Sequence, residues 1–327
     1  MILNKTLADA SAPAKIILFG EHFVVYGNHA ILASINKRIN VNLRVNKTRI
    51  ITIRSNLGIT ASYADSRFNL IKGGEDTKEI LDPIYKCVSN VLSLRKQSFG
   101  IEINLHSQVP YGIGLGSSAA CCVATVAAVD SLFHKPNRGW ICANAVESER
   151  LIHKDSSGGD CYISTFGGLI YYIRNGRSKK IKSKKNLTFI IINTGVVHST
   201  KELVSSVKRF KYNERSLFKK LSSCAEDICQ NALSAISRGD DKKLGKLMNE
   251  NHMLLQQLGV SNKEIDCMIN ICIKNGASGA KITGAGGGGS IIALVPNDYK
   301  TKIISEIKRN RYESISAKID YDGLLVH

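Results

Sequence analysis

The chain of 327 residues contains no window approaching the roughly 20 consecutive apolar residues that a membrane-spanning helix needs. Its first fifteen residues, MILNKTLADASAPAK, lack the apolar stretch of a secretory signal, so export is not expected and a cytoplasmic location is. Nine cysteines form no C-x-x-C pair, and their number is odd. Zinc spacing and a simple disulfide framework are therefore excluded, and reduced, buried thiols are expected. Neither an internal repeat nor a heptad pattern is visible.

What remains is the make-up of a soluble globular protein, 43% hydrophobic and 22% charged, with length for one large domain or two ordinary ones. The formal net charge of +18 favours anionic partners without choosing among them. The densest basic run, RSKKIKSKK from Arg177 to Lys185, has no interleaved aromatic residue. It reads as a solvated connector, and neither nucleic acid nor a membrane is expected as a partner.

Apolar runs AKIILFGEH and GNHAILASI open the chain, and Ile39, Val41, Leu43 and Val45 then alternate with polar neighbours as in a half-buried strand. Ile101, Ile103 and Leu105 repeat that alternation. Helical patterns cover about 77–94, 117–133 and 138–153 in the first half, and about 199–210, 213–238, 240–256 and 261–275 in the second. A helix near 297–309 and a strand near 314–320 close the chain. Grouped strands and helices without βαβ alternation predict an α+β fold, with a boundary separating 1–184 from 185–327.

The segment PYGIGLGSSAACCVATVAAVDSLF, from Pro110, carries the clearest chemistry. Gly112, Gly114 and Gly116 remove side chains at alternate positions, so that backbone can approach a bulky anion. Ser117 and Ser118 stand where a helix N-cap belongs, ahead of an Ala-rich run. Such a helix would aim free N–H groups and its positive end at the glycine loop. No lysine follows the last glycine, so this is not a Walker A loop, and the spacing is wrong for a Rossmann fingerprint.

The string P-x-G-x-G-L-G-S-S-A-A resembles the ATP-binding motif of the GHMP kinase superfamily. Two further motifs of that superfamily follow the same order here, APAKIILFGEHFVVYG near the N-terminus and KITGAGGGGS near the C-terminus. The resemblance spans residues 12–290 and implies a two-domain GHMP fold with the active site in the cleft. Pro110, Gly112, Gly114, Leu115, Gly116, Ser117, Ser118 and Ala119 would then bind ATP, and Gly284, Ala285 and Gly286 would lie near the transferred phosphate.

In AVESERLIHKDSSGGDCYISTFGG, Glu149 precedes Asp160 by eleven residues, as in the corresponding mevalonate kinase segment. By that resemblance Glu149 and Ser118 bind Mg²⁺ and Asp160 faces the acceptor hydroxyl, as general base or as an orienting group. Lys15, from the first motif, would stabilise a developing alkoxide. Ser156 replaces a proline common in the family, which leaves that turn less pre-set. F-G-E-H-F-V-V-Y-G looks like the mevalonate kinase version of the first motif, which implies that Glu21 and His22 line the acceptor site, His22 as a donor. NTGVVHSTKELV is similar to a substrate-contacting segment and points to Thr200, with Ser199 as its substitute. The implied reaction is ATP-dependent phosphorylation of mevalonate, and family members are often homodimers. A sister kinase acting on phosphomevalonate or on another mevalonate hydroxyl stays open, as does a non-catalytic sensor or basic binding protein.

Overall fold

A computed structural model describes residues 4–150, 157–174, 178–196 and 200–327. The first half builds one large sheet from β1 (Leu7–Phe19), β2 (Ala30–Asn46), β3 (Ile50–Ser55), β4 (Thr60–Ala64), β5 (Arg67–Lys72) and β6 (Gly100–Ser107). Added to these are β7 (Leu169–Tyr172) and β8 (Lys179–Ile181). Four helices belong to the same half: α1 (Thr77–Leu94), α2 (Ser117–Asp130), α3 (Arg138–Arg150) and α4 (Gly159–Phe166).

The second half holds β9 (Thr188–Asn193), β10 (Gly279–Thr283), β11 (Ser290–Leu294) and β12 (Glu313–Lys318) in a four-stranded antiparallel sheet of order β10-β11-β9-β12. Around it lie α5 (Thr200–Asn213), α6 (Arg215–Arg238), α7 (Asp241–Gln257), α8 (Lys263–Lys274) and α9 (Lys300–Arg309). The chain then returns to the first sheet, where β13 (Leu325–Val326) pairs with β1. Segregated strands and helices make the fold α+β, as the sequence pattern predicts.

β1 and β2 form the spine of the first sheet, and their register shifts between Pro13 and Ala14. Proline has no N–H to give the ladder, and such an irregularity accommodates it. Lys15 follows directly, opposite Ser34, and is buried. α2 packs on β1 and β2 and between α1, α3 and α4. Its Ala, Cys and Val side chains are buried all round from Ala119, apart from half-buried Cys121, which explains a helix without a polar face. At its far end buried Asp130 accepts from Arg95 Nη2 at 2.6 Å, which compensates a charge otherwise costly to bury.

Three differences from the sequence pattern have physical causes. The meander β3–β5 has no counterpart in the apolar periodicity, because short strands with one exposed face carry a weak apolar signal. Asp160 falls in the first turn of α4, a helix that the apolar pattern does not mark; its N-cap is Gly158, in the left-handed region at φ 77°. Helix α2 begins at Ser117 and is capped by Gly116 at φ 66°, not by serine. The two serines are its first helical residues, which places their hydroxyls and free N–H groups together at the loop. Among the described residues, no helix is long and apolar enough to cross a membrane.

Candidate active site

Strand β1, the glycine loop ahead of α2 and the C-terminal glycine loop meet at one place. Lys15 donates its backbone N–H to the carbonyl of Leu115 at 2.8 Å, tying strand to loop. The Lys15 side chain then crosses Gly116 so closely that a methyl group there would lie 2.7 Å from Lys15 Cγ and 2.8 Å from its Cε. Glycine is required twice over at 116, for this passage and for its positive φ. The Lys15 ammonium ends 3.1 Å from Asp160 Oδ2. Lys15 is almost fully buried while about a third of the Asp160 side chain, 36%, stays exposed. That exposure leaves a carboxylate open to an incoming ligand.

The second glycine loop docks through side-chain hydroxyls. Thr283 Oγ1 accepts from Ile17 N–H at 2.9 Å and donates to Ile17 O at 3.0 Å, standing in for a missing strand partner of β1. Ser290 Oγ donates to Ile113 O at 2.8 Å, fastening the far end of this loop to the first. A methyl group on Gly284 would sit 3.7 Å from Gly114 O. The two glycine-rich loops thus face one another at Gly114 and Gly284, and backbone N–H groups in such loops can be anion donors.

Pro110, Gly112 and Gly114 lie exposed on the first loop, whereas Leu115 and Ala119 turn their side chains into the core and offer only backbone. Ser117 and Ser118 border a pocket lined mainly by Ile80, Ile84, Leu105, Val109 and Tyr111. This apolar pocket beside the start of α2 is invisible in the sequence, because α1, β6 and the glycine loop contribute to it from distant positions.

Glu149, buried on α3, accepts from the Cys161 thiol at an S···O distance of 3.5 Å. Burial among carboxylates pushes the Cys161 thiol well above its ordinary range, so it stays a donor. Asp160 and Cys161 are adjacent in the first turn of α4. The acid beside Lys15 and the thiol that donates to Glu149 are therefore neighbours in the chain. Hard oxygen donors at Ser118 and Glu149 suit Mg²⁺, which takes few protein ligands and keeps phosphate oxygens and water for the rest.

Glu21 does not face open space. Its carboxylate is buried in an ion pair with Lys281 of β10, both side chains fully enclosed. Burial raises the Glu21 carboxyl and lowers the Lys281 ammonium, and each group opposes the other's shift. Sequence reasoning misses Lys281, since a lysine in a strand is usually exposed. His22 adopts φ 60° and donates through Nε2 to Ala285 O at 2.8 Å. Burial pushes its imidazole below the ordinary value against the pull of that bond. A neutral ring so bonded keeps a lone pair at Nδ1, which can accept a hydrogen bond. Thr200 opens α5, and its side chain, like Ser199 and Ser156, lies outside the described residues.

Comparison with known proteins gives this geometry a class. Residues 82–168 match the family of GHMP kinases N terminal domain, and residues 232–314 match GHMP kinases C terminal. A helix capped by a glycine loop, a lysine–aspartate pair beside it and a second glycine loop are the parts of a small-molecule kinase of that superfamily. Within it, the chain is 35% identical to the mevalonate kinase of Thermococcus sibiricus, covering 97% of both chains. It is 36% identical to that of Pyrococcus furiosus, covering 92% of this chain and 96% of the relative. The structure of L. major mevalonate kinase in complex with R-mevalonate superposes with a TM-score of 0.84 at 27% identity, over 98% of this chain and 99% of that one. The chain belongs to the mevalonate kinase family.

Proposed function

We infer that this protein transfers the γ-phosphoryl group of ATP to a hydroxyl of mevalonate, giving 5-phosphomevalonate for isoprenoid synthesis. The observation that carries the chemistry is the Lys15–Asp160 pair, 3.1 Å apart, laid across Gly116 at the start of α2. Full-length likeness to mevalonate kinases supports the choice of acceptor.

Phosphoryl transfer asks a protein for alignment and charge neutralisation more than for covalent chemistry. The adenine base enters the apolar pocket of Ile80, Ile84 and Val109, where shape and backbone recognise it. Its phosphates lie on the N–H groups of the first turn of α2, with the second glycine loop closing over the γ-phosphate. Mg²⁺, which Ser118 and Glu149 would hold, would neutralise the charge of the nucleotide phosphates. Asp160 takes or orients the acceptor hydroxyl proton while the oxygen–phosphorus bond forms and the bond to ADP breaks. The Lys15 ammonium stabilises negative charge on that oxygen.

Nine free cysteines among the described residues favour a reducing, cytoplasmic setting. ADP release measured with mevalonate, phosphomevalonate, homoserine and galactose tests the assignment. Turnover is expected with mevalonate. Preferential turnover of phosphomevalonate would move the protein to the sister activity, and no turnover with any of the four would remove the kinase reading.

A further inference from the structure

Two consecutive residues at the end of the first motif reach the same short stretch of the second sheet. Glu21 pairs with Lys281, and His22 bonds to Ala285, four residues further along. Lys281 Nζ also donates to Ile282 O at 2.6 Å, so the ammonium is fixed to its own strand before it meets Glu21. Between these anchors His22 sits at φ 60° and ψ −48°, the centre of a tight turn closed by Phe23 N–H donating to Glu21 O at 2.7 Å, a strained backbone that persists only where the surroundings impose it. Replacement of a buried ion pair by apolar groups of similar size is often neutral or stabilising, so stability is a weak reason for this one. The pair bridges residues 260 apart in sequence, one in each half of the cleft.

We propose that Lys281 is a positioning residue for the acceptor pocket. By anchoring Glu21, the first residue of that tight turn, it holds the adjoining His22 in its strained backbone, with the imidazole against Ala285 O and the other ring nitrogen set for the acceptor. The inference rests on the reading of His22 as an acceptor contact. It gives the buried ion pair a specific role, which is to set the angle of one ring from the opposite half of the cleft.

The test uses Lys281→Met, the neutral pair Glu21→Gln/Lys281→Met, and His22→Ala, each assayed below its Tm. Steady-state kinetics with mevalonate are combined with calorimetric affinity for a non-hydrolysable ATP analogue. Lys281→Met should raise the KM for mevalonate about tenfold while nucleotide affinity changes less than about twofold. The neutral pair should regain Tm and keep the raised KM, which a merely structural ion pair would not do. Recovery of both Tm and KM in the neutral pair overturns the proposal, as does a parallel loss of nucleotide affinity. His22→Ala separates the two claims. A normal mevalonate KM there removes His22 as an acceptor contact, whereas a raised one beside a normal KM in both Lys281 variants removes the part given to Lys281 alone.

Discussion

Lys15 and Asp160, 145 positions apart in sequence, meet at 3.1 Å because one lies at a strand irregularity and the other in the first turn of a short helix. The ammonium is buried and the carboxylate is partly open, so the pair presents its acidic side to a ligand. Asp160→Asn keeps the shape and removes the carboxylate charge. The turnover number should fall by a factor of about 10² to 10⁴, with affinity for the ATP analogue retained. Full activity in this variant would show that the carboxylate is not the group serving the acceptor hydroxyl.

Gly116 tests the same geometry from below. Alanine at 116 must either displace Lys15, whose Cγ would lie 2.7 Å from the new methyl, or strain a backbone held at φ 66°. A cost of about 1–3 kcal/mol in stability is expected, read from chemical denaturation. The displaced lysine should also lower turnover by more than the loss of stability explains. A variant with normal turnover and lowered stability would separate the glycine's conformational role from its place beneath Lys15.

Much of this site was legible because its parts sit in short strings. The glycine loop ahead of a helix has a mechanical reason in its spacing, whereas Lys15, Ser118 and Asp160 stand out through resemblance to the superfamily's motifs, and the fold brings Lys15 and Asp160 together. The remainder was hidden by the same physics that makes it work. Lys281 looks like an exposed strand lysine until the fold supplies Glu21 from 260 residues away. The apolar pocket is assembled from Ile80, Leu105 and Val109, none of which differs locally from any core residue. Ser117 and Ser118 suggest a serine cap, and only the backbone shows Gly116 taking that position at positive φ. Periodicity reports the faces of single elements, whereas a cleft is a property of several.

Acid should loosen the second half of the molecule first through His252. Its ring is buried on α7, and burial pushes its pKa below the ordinary 6.5, although a bond to Asp266 at 3.0 Å acts in the opposite sense. In the unfolded chain the ring takes a proton near 6.5, while in the fold it resists. Stability is therefore complete above that pH and declines as pH falls below it, by at most about 1.4 kcal/mol per pH unit for one proton. Asp266 has its carboxyl lowered: burial, the largest influence, acts against this and is outweighed by hydrogen bonds from Ser261, Gln256 and His252. Its contribution is lost only at still lower pH. Urea unfolding from pH 8 to 5 should show the decline, and His252→Gln should flatten it. An unchanged slope in that variant would assign the effect elsewhere, with buried His22 the first alternative.

The apolar pocket beside Ser117 and Ser118 can be separated from the acceptor site by filling it. Ile80 lies on α1, half-buried at the pocket wall, where a larger ring can enter the open volume instead of the core. Ile80→Trp should therefore raise the KM for ATP at least about tenfold, since an occluded apolar pocket forfeits most of the contact area that a purine would bury. The KM for mevalonate should stay within about twofold, because among the described residues Lys15, Glu21, His22 and Asp160 do not line this pocket, and distant sites act independently. Turnover at saturating ATP should survive, as Lys15, Asp160 and the start of α2 are undisturbed. Equal losses for both substrates would mean that the ring has distorted the glycine loop, and an unaffected ATP KM would place the base in another part of the cleft.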